Sequence, residues 1–140
     1  MNSKILHDII EKGILKMGIE PETARDQNAG QWEFIRGSAS ITVGLLQNDR
    51  FPNGYFHVTS VLMSELDVPA TKKEVFYRTL LEINTTLVNM QLTVSEGLVL
   101  LMSNRDAQGL DEIEVAIAIN ELSFYADELD DKLKDRFGSK

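Results

Sequence analysis

The stretch VFYRTLLEIN, Val75–Asn84, is followed by a hairpin over Met90–Ser103 and then by a long acidic helix that reaches Asp130, Asp131, Leu133 and Phe137. This succession decides the fold. Phe76, Leu80, Ile83 and Leu87 recur at helical spacing, so the first segment is an apolar-faced helix running to about Val88. Met90–Val94 and Leu98–Ser103 flank Ser95, Glu96 and Gly97, the pattern of two strands joined by a turn. Asp111-x-x-Glu114 opens the last helix with an acidic cap, and that helix extends to about Phe137.

Upstream of this block, Asp67, Pro69 and Ala70 break a strand pattern, and Thr71-x-x-Glu74 predicts a capping box for the apolar-faced helix. Trp32 and Phe34 alternate with Glu33. Ala39, Ile41, Val43 and Leu45 alternate with Ser40, Thr42 and Gly44, the period of a half-buried strand. Gly37 and Ser38 between them read as a tight turn, Gln47–Gly54 as a longer hairpin loop and Tyr55–Leu66 as a third strand. Ser3 is the N-cap expected for a first helix over Lys4–Met17, which Gly18 and Pro21 end. Glu20–Ala29 reads as a loop. The order is therefore α-β-β-β-α-β-β-α. Hairpin connections make the sheet antiparallel, so the fold class is α+β with about five strands and helices packed on them.

With 140 residues the chain suits one domain, with a frayed tail over residues 138–140. It has no cysteine, which excludes disulfides and thiolate metal sites and suggests a reducing compartment. The net charge is −8. That balance repels phosphate backbones and anionic membrane surfaces and leaves a basic or amphipathic protein as the compatible partner. No apolar run approaches the ~20 residues of a membrane span. Asp8, Glu11, Lys12 and Lys16 interrupt the N-terminal apolar residues, unlike a signal peptide, so the expected address is the cytoplasm.

The helices carry more apolar surface than one sheet requires. Beside the Phe76 face, Tyr77, Leu81 and Val88 form a flank, and together they cover about half the circumference against a stripe of ~100° for a surface helix. On the last helix, Val115, Ile119, Leu122, Ala126, Leu129, Leu133 and Phe137 form one face. Ile113, Ala116, Ile117 and Phe124 form another. Surplus apolar surface calls for a cover, and a twofold dimer is the commonest one.

Catalytic chemistry is thin. His7 falls on the polar side of the first helix, where a solvated role is expected. His57 lies beside Tyr55 and Thr59 on one strand face and would need a carboxylate or nucleophile at hydrogen-bond range. Asp127, Glu128, Asp130 and Asp131 lack the central glycine and alternating ligands of a calcium loop, and read as a solvated helix face. Arg105 and Asp106 read as a surface ion pair in a turn, Trp32 as core. Asn84-Thr85-Thr86 matches a glycosylation sequon at the end of a buried helix. No phosphate loop, nucleophile elbow or zinc spacing is present, so no cofactor and no metal are expected.

Phe76-Tyr77-Arg78-Thr79-Leu80-Leu81-Glu82-Ile83-Asn84, the hairpin, Arg105, Gly109-Leu110-Asp111 and Ala126–Leu133 with Phe137-Gly138 resemble YbjN-like proteins, and through them the type III secretion chaperone fold. Trp32, Phe34, Gly37-Ser38-Ala39 and Val58–Leu66 fit the same pattern. The resemblance covers about Trp32 to Gly138. It implies a small acidic cytoplasmic protein, usually dimeric, without known catalytic activity; the secretion chaperones bind an extended effector segment. The expected function is thus a non-enzymatic, chaperone-like or regulatory homodimer that binds an extended or amphipathic segment of a partner protein. Tyr77, Leu81 and Val88 are its expected dimer contacts, and Ile5, Ile9, Leu46 and Leu101 its expected partner contacts. The rival expectation is a small-ligand sensor or enzyme with a pocket between sheet and helices involving His57.

Overall fold

In the computed structural model, which describes residues 3–27 and 30–138, five strands form one sheet: β1 (Gln31–Arg36), β2 (Ala39–Leu46), β3 (Tyr55–Ser64), β4 (Gln91–Ser95) and β5 (Leu98–Asp106). Every neighbouring pair is antiparallel and the order is β1-β2-β3-β5-β4. The helices are α1 (Ser3–Lys16), α2 (Pro21–Ala24), α3 (Lys73–Asn84) and α4 (Glu112–Phe137). This is the α+β order expected from the sequence, with the one-turn α2 inserted. The N-cap role expected of the Ser3 side chain and the tail past Gly138 lie outside the described residues.

Strand register sorts side chains to two faces. Trp32 pairs with Val43, Val43 with Val58, and Ser60 with Leu101, which pairs with Leu92. All five of these apolar side chains and Val43's neighbour Ile41 are buried, on the face covered by α4 and α1. The other face runs through Glu33, Thr42, Thr59, Met102 and Gln91. It carries no helix among the described residues, and Ile35 and Val61 on it are exposed. A register shift between Val61 and Met63 lets both Leu62 and Met63 turn into the core.

Helix α4 organises the helical layer. Val115, Ile119, Leu122, Ala126, Leu129, Leu133 and Phe137 are all buried, so one of its two apolar faces is core. The Asp111 side chain caps it by accepting from Glu114 N at 2.8 Å. α1 crosses it at Gly13, where an added Cβ would overlap Val115; a glycine is needed there for close approach. α3 packs against β4 and reaches the end of α4, where Phe76 and Phe137 meet edge to face with centroids 5.1 Å apart.

Three local expectations are corrected. α3 has no capping box: a 3₁₀ turn over Ala70–Lys72 feeds it and no side chain caps it, because Pro69 sets the turn before Thr71 can reach a helical N–H. α3 also stops at Asn84, so Val88 belongs to the turn that follows rather than to the helix. The Glu20–Ala29 segment contains helix α2, begun at Pro21, and Arg25 bridges to Trp32 on β1.

Candidate binding surfaces and sheet edges

The two outer strands are finished differently. At β1, the Glu11 carboxylate on α1 accepts from Arg25 Nε and Nη2, both at 2.5 Å, and from the Trp32 indole N–H at 2.9 Å. The Arg25 hydrogen bonds hold the Glu11 carboxyl below its usual range, and the Trp32 N–H helps, against a lesser upward push from burial. Asp26 N donates to Gln31 O (2.9 Å), which closes the first outward position of the edge. The β1–β2 turn is pinned to α4: Ser38 N and Oγ donate to Asp127 Oδ1 at 2.9 and 2.7 Å. Gly37 is needed in that turn, with φ at +62° and the Asp127 carboxylate 2.7 Å from where a Cβ would sit. Farther along β1, the Arg25–Trp32 bridge also engages the Glu33 N–H, while the Glu33 carbonyl and the Ile35 main chain share the outward phase of Gln31 and meet no partner strand among the described residues.

At the opposite edge, a side chain stands in for a neighbouring strand. Asn84 Nδ2 donates to Leu92 O (3.2 Å) and Asn84 Oδ1 accepts from Leu92 N (2.6 Å). The sequon asparagine is therefore a structural plug on β4. Because Leu92 turns its main chain outward, Gln91 and Thr93 turn theirs toward β5, onto Met102 and Leu100.

Apolar side chains lie uncovered on several surfaces. Of the expected dimer contacts, Leu81 is 69% and Val88 74% exposed. Tyr77 is half-buried and donates its hydroxyl to Glu65 Oε1 at 2.8 Å, a bond that raises its pKa. Tyr77 and Leu81 lie one turn apart on α3, and Val88 follows in the next turn. The second apolar face of α4 is open, with Ile113, Ile117 and Phe124 each more than half exposed.

The expected partner contacts do not form one patch. Ile5 is exposed and Ile9 half-buried on the same side of α1. Leu46 is exposed but belongs by register to the helix-free face of the sheet. Leu101 is fully buried beneath α4 and drops out as a contact. In β5, Leu101 belongs to the inner set of alternating side chains, with Val99.

His7 departs from its expected solvated position, whereas His57 shares a strand face with Tyr55 and Thr59 as expected. His7 is half-buried, its ring 4.8 Å from that of Trp32. His57 lies on the helix-free face and its Nδ1 meets the amide oxygen of Asn104, not a carboxylate. The pocket that the sensor or enzyme reading required between sheet and helices does not contain it. Arg105 pairs with Glu114 rather than with Asp106. The acidic segment is not a uniformly solvated face: Asp127 holds the β1–β2 turn, Asp130 is buried beside Lys134 at 2.7 Å, and Glu128 pairs with Lys132 at 2.6 Å. Among the described residues no group of acids and histidines is arranged to hold a metal, and no helix is long and apolar enough to cross a membrane. Sequence reasoning missed the Glu11–Arg25–Trp32 network and the Asn84 plug, since both join residues remote in the chain with no spacing to mark them.

The described α+β fold is that of the type III secretion chaperones. The chain resembles the solved ExsC–ExsE complex, with a TM-score of 0.61 at 15% identity over 95% of this chain and 96% of the other. It resembles the ExoU–SpcU complex from the type III secretion system of Pseudomonas aeruginosa, with a TM-score of 0.60 at 13% identity over 89% and 96%. It also resembles the Yersinia pestis type III secretion chaperone SycH in complex with a fragment of YscM2, with a TM-score of 0.61 at 11% identity over 89% and 98%. No family model matches the chain, and no curated protein matches it.

Proposed function

We propose that this chain is a cytoplasmic, non-enzymatic, chaperone-like binding module that acts as a homodimer and holds an extended or amphipathic segment of a partner protein. The observation that carries the reading is the uncovered apolar flank of α3 and its following turn, at Leu81 and Val88, with a second uncovered stripe on α4. Such surface on a protein of net charge −8 is a docking surface before it is anything else. The structural neighbours, solved as complexes with protein partners, support the same reading.

In this proposal a second copy covers Tyr77, Leu81 and Val88. The partner segment contacts Ile5, Ile9 and Leu46, and its main chain pairs with the open part of the β1 edge, at the Glu33 carbonyl and Ile35. The likeness to YbjN-like proteins belongs to this proposal and favours a regulatory partner over a dedicated secretion substrate. Light scattering after size exclusion tests it. The expected mass is twice the 15.7 kDa chain, and Leu81→Asp is expected to give a folded monomer. A wild-type monomer that captures no protein at native salt overturns the reading.

A further inference from the structure

The ladder between β4 and β5 ends at Gln91↔Met102, whereas β3 accompanies β5 to Tyr55↔Asp106. Residues 103–106 of β5 therefore have a strand on one side only. The alternation set by Asn84 and Leu92 fixes which groups are left over. Leu100 and Met102 turn their main chain toward β4, so Asn104 and Asp106 turn theirs the same way, into the space where β4 has already stopped. The opposite phase agrees, because Ala107 N donates to Gly54 O across β3 at 3.1 Å. The Asp106 carbonyl is occupied by Arg105 Nε at 3.1 Å, so the Asn104 N–H and C=O are the open pair.

That gap is a groove of about 840 Å³ between β5, the turn before β4 and α4. Its apolar surface comes from Phe56, Met90, Ile117 and Ala118, with Val88, a proposed dimer contact, at the rim. Asn89, with φ at +59°, turns the chain into β4 and leaves the space open. Two acids line it. Glu114 is neutralised by Arg105, while Glu121 has no ion-pair partner among the described residues. The chain around it is strongly acidic.

We infer that this groove is a seat for an extended segment of a partner protein that carries a Lys or Arg among alternating apolar residues. The segment continues the line of β4, bonds its main chain to Asn104, lays apolar side chains on Ile117 and Ala118, and pairs its cation with Glu121. Four residues of β5 offer a run of roughly 13 Å, enough for one short strand. The inference rests on the proposal that the chain binds protein segments, and it adds a site and a charge requirement that the proposal does not contain.

The probes are fluorescein-labelled octapeptides in which Val alternates with Thr and one Val is replaced by Lys, by Glu, or by Lys with alternate main-chain nitrogens methylated. Fluorescence anisotropy at low salt is expected to rank the Lys probe about tenfold tighter than the Glu probe, the range of a close charge pair. Glu121→Lys, on an exposed position, should reverse that order without affecting folding. Ala118→Phe should weaken both probes by filling the groove, and methylation should weaken the Lys probe. Amide NMR shifts are expected at Asn104 and Asp106. Binding that ignores Glu121→Lys, or shifts that fall on Glu33 and Ile35, overturn this seat and leave the chaperone-like reading intact. A chain that dimerises through α3 but binds none of the probes also overturns the seat alone.

Discussion

The sheet is fastened at one edge by charged and polar straps and at the other by apolar cover and a single amide. At β1, Glu11, Arg25 and Trp32 join three elements, and Asp127 clamps the adjoining turn. At β4, the described residues show no ion pair on the strand itself; Phe76 and Leu80 of α3 join its Leu92 in the core, and Asn84 plugs the outward groups of Leu92. Polar straps fix orientation but lose strength in water, whereas burial supplies most of the stability. The contrast predicts that the edge rich in polar contacts is not the edge on which stability depends most.

The sharpest attempt to break that contrast is Phe76→Ala. Phe76 is fully buried against Phe137, so the cavity should cost about 3–5 kcal/mol in urea unfolding. A loss smaller than that of any strap variant would reverse the ranking of the two edges. Next comes Asn84→Ala. It leaves the partly buried Leu92 N–H and C=O without partners, with an expected cost of about 1–3 kcal/mol and faster hydrogen exchange at Leu92. Unchanged exchange there would mean that water replaces the amide and that the plug is dispensable. Trp32→Phe keeps an aromatic ring in the core but removes the indole donor to Glu11 and part of a fully buried side chain, so about 1–2 kcal/mol is expected from chemical denaturation.

The smallest effect is a pH dependence at the turn. The Ser38 backbone N–H, then its hydroxyl, hold the Asp127 carboxyl below its ordinary pKa. A carboxyl lowered in the folded state stabilises it above the unfolded-state pKa, and that contribution is lost as pH falls through the folded value. The Ser38 amide should therefore lose protection only in acid, below the ordinary carboxylate range, and Asp127→Asn should remove that pH dependence. Glu11, lowered chiefly by Arg25, adds stability with the same sign. A turn whose protection already falls near neutral pH would sink the assignment to Asp127.

Much of the architecture is legible in the sequence because burial follows periodicity. The two apolar faces of α4 separate in the chain at helical spacing, and the structure buries the one from Val115 to Phe137 while leaving Ile113, Ile117 and Phe124 open. Asp111 announces its cap. What periodicity cannot convey is which of two alternating sets faces a helix. Leu101 and Met102 are equally apolar, and only packing against α4 decides between them. Nor does it reveal polar ties between distant segments: nothing near Glu11 names Arg25, and nothing near Asn84 names Leu92. The Thr71 box failed for a local reason, since Pro69 and the 3₁₀ turn after it compete for the same backbone groups.

The Asn84 plug also bears on solubility. An uncapped outer strand offers a template on which further chains can stack without limit, and a protein that keeps apolar flanks open for docking is especially exposed to that fate. By answering both main-chain groups of Leu92 from within its own chain, Asn84 closes one of the two outward positions of a five-residue strand, Leu92 and not Val94, to such growth. Growth at this edge is then confined to Val94, while the greasy flanks stay open for docking.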